Sequence, residues 1–171
     1  NVTAGGDQVY SAWRHLDGNW GIVCTQDSGA NWSNNAFFRP GDLPKPGLGP
    51  GGFVYVIYLD GTDIMLDKFA PCEVQTNPMT PVPGFPVVVK ANAAPVACPT
   101  PGLDRCNRRN TLSGITVAVD DTDSSHVYVT YALNTSPGSG GVFVEGSPVC
   151  NDQNLCNENI IVQDSLDGGA T

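Results

Sequence analysis

The pattern Val-Tyr-x-x-Trp/Tyr occurs three times in this 171-residue chain, and that recurrence narrows the folds open to it. It reads Val9-Tyr10-Ser11-Ala12-Trp13, then Val54-Tyr55-Val56-Ile57-Tyr58, then Val127-Tyr128-Val129-Thr130-Tyr131. The copies start 45 and then 73 residues apart, one repeat interval followed by an interval with an insertion. Regular spacing of this kind marks structural units that stack on one another. Each copy is rich in β-branched and aromatic residues, which suit a pleated surface, and each has an apolar partner run: 18–24, 63–68 and 159–164. Each such pair reads as a hairpin. Ile115 to Asp123 precedes the third copy as a strand and polar turn. Leu43 to Gly52 holds the same place before the second, and its Pro and Gly content predicts poor pairing there.

A second motif follows the first and third partner runs. Thr25-Gln26-Asp27-Ser28-Gly29-Ala30-Asn31-Trp32 fits Ser/Thr-x-Asp-x-Gly-x-x-Trp, and Ser165-Leu166-Asp167-Gly168-Gly169-Ala170-Thr171 fits it as far as it runs. The chemistry is that of a turn: the Asp carboxylate accepts backbone N–H groups and Gly supplies a left-handed position, with the Trp expected to pack between sheets. The motif resembles the Asp-box, or BNR repeat, of the sialidase-like β-propeller family. There the box forms the turn between the third and fourth strands of a blade. The resemblance implies an all-β chain of four-stranded antiparallel propeller blades with Asp-box turns. About three blades fit: units of about 1–40, 41–92 and 112–171, with a Cys-bounded insertion at about 93–111. In the middle unit Phe69-Ala70-Pro71-Cys72 stands where a box would be, so a disulfide is expected to hold that corner. Propellers close with roughly four to eight blades, so this sequence is expected to be a portion of a longer product.

Composition supports a β-rich, secreted chain. Only 15 % of residues are charged, and 20 Gly and 14 Pro divide the sequence into short pieces. The net charge of −9 repels a phosphate backbone, which excludes nucleic acid as a partner. No apolar run is long enough to form a membrane span, and no leader opens the sequence, as in a mature secreted product. Three N-x-S/T triplets start at Asn1, Asn31 and Asn134, a pattern that Asn/Ser/Thr-rich sequences also produce by chance. Cys24, Cys72, Cys98, Cys106, Cys150 and Cys156 form an even set without a CxxC pair, so disulfides are expected. The short polar loops predict Cys98–Cys106 and Cys150–Cys156. Cys24 and Cys72, each just past an aligned strand, then bridge neighbouring units.

Catalytic groups are harder to find. A sialidase site needs three arginines for the substrate carboxylate, a Tyr/Glu pair and an acid. Phe38-Arg39-Pro40 lacks the Ile of the family's arginine motif and follows the first box, and Arg105, Arg108 and Arg109 crowd one loop, leaving Arg14 apart. A glycosidase carboxylate pair could be drawn from Asp60, Asp63, Glu73, Glu145 and Glu158. Asp120, Asp121 and Asp123 are weak Ca²⁺ candidates in a turn that Asp favours for conformational reasons, with Asp60-Gly61-Thr62-Asp63 as the acidic turn of the unit before; no other cofactor is implied. Trp13, Trp20, Tyr55, Tyr58, Tyr128 and Tyr131 are read as core in preference to a sugar-stacking platform, and His15 and His126 as ordinary polar positions. The expected role is therefore non-catalytic binding, adhesion or surface assembly. The partners would be a glycan, another subunit, or further blades of the same protein. A sialidase-like hydrolase with catalytic residues outside this sequence is the alternative.

Overall fold

The computed structural model describes residues 1–33, 35–73, 79–93, 115–134 and 158–171. Among them, eleven β-strands form three antiparallel sheets, and the one helical element is a 3-10 turn at Pro50–Gly52. The first sheet is a meander of β1 (Val2–Gly5), β2 (Gln8–Arg14), β3 (Asn19–Thr25) and β4 (Phe37–Pro40). The second repeats it with β5 (Asp42–Leu48), β6 (Val54–Asp60), β7 (Asp63–Phe69) and β8 (Val87–Lys90). The third contains β9 (Thr116–Val119), β10 (Val127–Asn134) and β11 (Glu158–Ser165). All three Val-Tyr motifs lie on corresponding strands, β2, β6 and β10, and pair in the same register: Tyr10 faces Cys24, Tyr55 faces Lys68 and Tyr128 faces Asp164.

The period of two along a strand decides how the sheets meet. Val54, Val56 and Tyr58 point to one side of the second sheet and join Tyr10, Ala12, Trp20 and Ile22 of the first in one core. Tyr55, Ile57, Ile64 and Leu66 point to the other side and join Val117, Val127, Val129 and Tyr131 of the third. The order of stacking is therefore first, second, third. The step from sheet to sheet is repeated in detail. Tyr10 donates its hydroxyl to the Gly52 carbonyl (2.8 Å), just ahead of β6, and Tyr55 donates to the Ser124 carbonyl (3.1 Å), just ahead of β10.

The segment expected to pair poorly forms β5. It pairs with β6 from Asp42 to Leu48, with one irregularity between Asp42 and Lys45. It succeeds because it is an edge strand of its sheet, where a proline's missing N–H interrupts no second ladder. That edge instead lies against β1, β2 and β9, and Asn1 donates its side-chain amide to the Pro44 carbonyl (2.7 Å).

Cys24, at the end of β3, is bonded to Cys72, beyond the end of β7. The bridge ties the first sheet to the second where the middle unit lacks a turn of the Thr25–Trp32 type. It is reinforced by Gln26, which donates its amide to the Cys72 carbonyl, and by the Cys72 N–H donating to the Tyr10 hydroxyl (3.2 Å). Cys98, Cys106, Cys150 and Cys156 lie outside the described residues. The Cys24–Cys72 bond spans 48 residues, and closing such a loop removes chain entropy from the unfolded state. Replacing both cysteines with serine is expected to lower unfolding free energy by about 4 kcal/mol. Urea denaturation of the double variant against the native chain measures it.

Candidate functional site

The two motif turns have the same internal wiring. In the first, Thr25 donates its hydroxyl to Asp27 Oδ1 (2.6 Å), and that same carboxylate oxygen accepts the Asn31 N–H (2.8 Å). In the second, Ser165 donates to Asp167 Oδ1 (2.6 Å), which accepts the N–H groups of Ala170 (2.9 Å) and Thr171 (3.0 Å). The Gly29 and Gly169 N–H groups donate back to the Thr25 and Ser165 hydroxyls (3.3 and 3.0 Å). Both turns need two successive left-handed residues: Ser28 and Gly29 at φ 56° and 97°, Gly168 and Gly169 at 75° and 86°. Each is also anchored to the strand lead-in of its own sheet, through Ser28 N–H to the Asp7 carbonyl (2.9 Å) and Gly168 N–H to the Ser125 carbonyl (2.8 Å). Asp7 and Ser125 each sit two residues ahead of their Val-Tyr motif.

The donors that reach Asp27 and Asp167 stabilise each carboxylate in its ionised form. The Thr25 hydroxyl, then the Asn31 N–H and side chain, hold the Asp27 carboxyl down to about 2. The Ser165 hydroxyl, followed by Thr171, holds Asp167 well below the usual carboxylate range. Neither carboxylate is free to act as a general acid or base. Asn31, the middle triplet's acceptor, donates its side-chain amide to Asp27 Oδ2 (2.6 Å).

Trp32 departs from expectation. It is 40 % exposed, not packed between sheets, and its ring lies against Gly29 of its own turn. The bridge from Trp32 to Thr25 sets it on the side of the first sheet turned away from the second, where no described residue covers it.

Between the first and second sheets lies a buried charge pair. Arg39 on β4 sets its Nε 2.9 Å from Asp67 Oδ2 on β7, and Asp67 is fully buried. The two atoms attract as charges without the alignment of a hydrogen bond, and the Trp20 indole N–H nearby also lacks a partner. The Arg39 guanidinium rests over the Phe37 ring at 5.4 Å. Burial pushes the Asp67 carboxyl up to about 6, against the pull of Arg39 and the Lys68 N–H. Burial, then the Asp67 charge, raises the Tyr58 phenol well above its ordinary value. Asp67 escaped notice in the sequence, although an acid after Ile64-Met65-Leu66, inside an apolar strand, is the signal that would have found it.

The other candidates are dispersed. Arg14 is paired with Asp42 at 3.0 Å. Asp63 accepts the Asn92 N–H (2.7 Å), while Asp60 and Glu73 are exposed. Glu145 and the arginines at 105, 108 and 109 lie outside the described residues, as does the Glu158 side chain. Asp120 and Asp123 are engaged by their own turn, through Thr122 and Ser125. Among the described residues no group of three or more His, Cys, Asp or Glu side chains is placed to hold a cation. Trp20, Tyr55, Tyr58 and Tyr131 are buried, whereas Trp13 lies on the open face of the first sheet, edge-on to Phe38 at 6.0 Å. His15 pairs with Asp17, and His126 stacks on Tyr128. A shallow groove lies between β8 and β11, floored by Leu66, Val87, Val127 and Val129, and among the described residues that line it Asp164 is the one charged side chain. No protein-family model matches this sequence, and no curated protein matches it as a relative.

The carboxylates set the pH dependence of stability. Asp67 takes up its proton more readily in the folded chain than at its ordinary value of 3.8. Its contribution is therefore full below pH 3.8 and lost as pH rises through about 6. Asp27 has the opposite sign: its contribution is present above pH 3.8 and lost as pH falls towards 2. Stability is expected to peak near pH 4 and to fall by on the order of 2 kcal/mol by about pH 7. Asp67→Asn is expected to abolish the fall on the alkaline side, as read from urea titrations across that range.

The turns predict a second, separable effect. Asp27→Ala and Asp167→Ala each remove an acceptor of several donors, so each is expected to lower the thermal midpoint. The loss in each is expected to shrink towards pH 2, where Asp27 itself protonates. Melts recorded at neutral and at acid pH check both parts.

Proposed function

We propose that this chain is a segment of an extracellular Asp-box β-propeller whose role is binding and surface assembly, not catalysis. The observation that carries the reading is the state of its cations. Both described arginines are already paired, Arg14 with Asp42 at the surface and Arg39 with Asp67, whose carboxylate is buried between two sheets. An arginine that must capture a substrate carboxylate has to reach it unpaired and from a cleft. The propeller part of the proposal draws on the stacked meanders and on the two identically wired turns. An extracellular setting agrees with the Cys24–Cys72 bridge, since such bonds persist in oxidising compartments. No described helix is long and apolar enough to cross a membrane.

The partners that fit are protein or glycan surfaces, since the net charge of −9 opposes polyanions. The test is turnover of a fluorogenic sialoside by the purified chain, alongside Arg14→Ala and Arg39→Ala. All three are expected to match buffer alone. Cleavage by the native chain that either substitution abolishes would contradict the proposal.

A further inference from the structure

The residues opposite the motif tyrosines hold one register position in the first two sheets: Cys24 faces Tyr10, and Lys68 faces Tyr55. Each reaches the same place on the sheet that follows. Cys24 bonds to Cys72, three residues past Phe69, and Lys68 directs its ammonium at Gly168, three residues past Ser165. Phe69 and Ser165 are themselves equivalent, since they face Val54 and Val127, the first residues of their motifs. The tyrosines extend the match: the Tyr10 hydroxyl accepts the Cys72 N–H (3.2 Å), and a Cβ at Gly168 would lie 3.8 Å from the Tyr55 hydroxyl. One contact between neighbouring sheets is therefore made twice, once by a disulfide and once by a lysine.

The lysine does not hold by hydrogen bonding alone. Its Nζ lies 3.5 Å from the Gly168 carbonyl oxygen, at the outer limit of a hydrogen bond, but sits over three rings, 4.9, 5.2 and 5.8 Å from the centroids of Tyr55, Phe53 and Phe85. A cation within about 6 Å of a ring face is attracted by the ring's quadrupole, and the attraction grows as water is excluded. Here Tyr55 is buried, and Lys68, Phe53 and Phe85 are half-buried. The Tyr55 ring is fixed by its hydroxyl, which donates to the Ser124 carbonyl (3.1 Å). The turn of the third sheet seats directly on this group. A Cβ on Gly168 would come within 3.1 Å of the Lys68 Nζ, and one on Gly169 within 2.9 Å of the Leu66 side chain and 3.7 Å of Phe85.

We infer that Phe53, Tyr55, Phe85 and the Gly168 carbonyl form a binding site for an alkylammonium group, filled by the chain's own Lys68, and that the filled site latches the turn of the third sheet onto the second. Three ring faces and one carbonyl oxygen complement such a group: the faces take the charge without a counter-anion, and the oxygen accepts one N–H. Ring faces are also the surfaces that recognise free organic ammonium ions. Removing the lysine side chain therefore vacates a site that a small alkylammonium ion refills. The latch adds to the wiring through Asp167, which ties the third sheet only to itself. It is also reversible: the third sheet can part from the second here without breaking a covalent bond, as the second cannot part from the first.

Amide hydrogen exchange of the 171-residue chain, read by NMR, tests this at Gly168, whose N–H donates to the Ser125 carbonyl (2.8 Å). Ser28 of the first turn, whose N–H donates to the Asp7 carbonyl (2.9 Å), is the equivalent control. Lys68→Gln, which loses the charge, is expected to speed exchange at Gly168 about tenfold and to leave Ser28 unchanged. Lys68→Arg, which keeps a cation over the rings, is expected to stay near the native rate. In Lys68→Ala, methylammonium chloride is expected to restore protection at Gly168, whereas sodium chloride at the same concentration does not. Neither salt is expected to alter the native chain, whose site is filled. Lys68→Thr, a residue suited to a strand, replaces Lys68→Ala if that variant does not fold. Equal acceleration at Gly168 and Ser28 in Lys68→Gln marks a general loss of stability and overturns the inference. So does an unchanged rate at Gly168, or restoration by both salts or by neither.

Discussion

A strand whose successive side chains are all apolar cannot sit at the surface of a two-layer fold, because its two faces need two separate covers. β6 is such a strand: Val54 to Tyr58 are all buried, and they belong alternately to two different cores. The first sheet supplies one cover and the third sheet the other. Burying a large side chain contributes roughly 1.5 to 3 kcal/mol, so the faces of one central strand outweigh any single hydrogen bond at the corners. The stacking order follows from this demand, and the corners serve to hold the sheets in phase.

The corners do so by two different devices. In the first and third sheets a carboxylate gathers its own turn and the turn's first left-handed position leans on the lead-in two residues before the Val-Tyr motif. In the second sheet, a covalent bond from Cys72 reaches across to Cys24 instead. The exchange is chemically reasonable because both devices act at the same place, the end of the third strand of the meander. A carboxylate turn ties a sheet to itself, whereas the disulfide also ties it to its neighbour. Thus the middle corner has a constraint between sheets where the other two have a local one.

What could be read from the sequence divides along the same line. The three hairpin strands, their partners and the two turns were visible because each is a local pattern with a fixed period. The pairing of β5 was not visible, since whether Pro44 and Pro46 disrupt a strand depends on its being at an edge, a property of the assembled sheet. The environment of Trp32 failed for a related reason: a motif specifies which way the ring points, and only the neighbouring sheet decides whether that direction is buried. The Arg39–Asp67 pair joins residues 28 positions apart on different sheets, a contact no period announces.

That pair occupies a position worth comparing along the chain. Val23, Asp67 and Gln163 face Ser11, Val56 and Val129, the same step of the three motifs, so they hold one register position in three sheets. In the first sheet the position is apolar, on the open face. In the third, Gln163 accepts the Tyr131 hydroxyl at 2.8 Å within its own sheet. In the second alone it holds a charge answered from the neighbouring sheet, and a buried carboxylate stripped of its partner costs several kcal/mol. A first sheet slid along β7 would leave Asp67 buried opposite the aromatic rings, with nothing to balance it. The apolar faces of β6 set the order of the sheets, and any stacking that separates Asp67 from Arg39 carries this further cost.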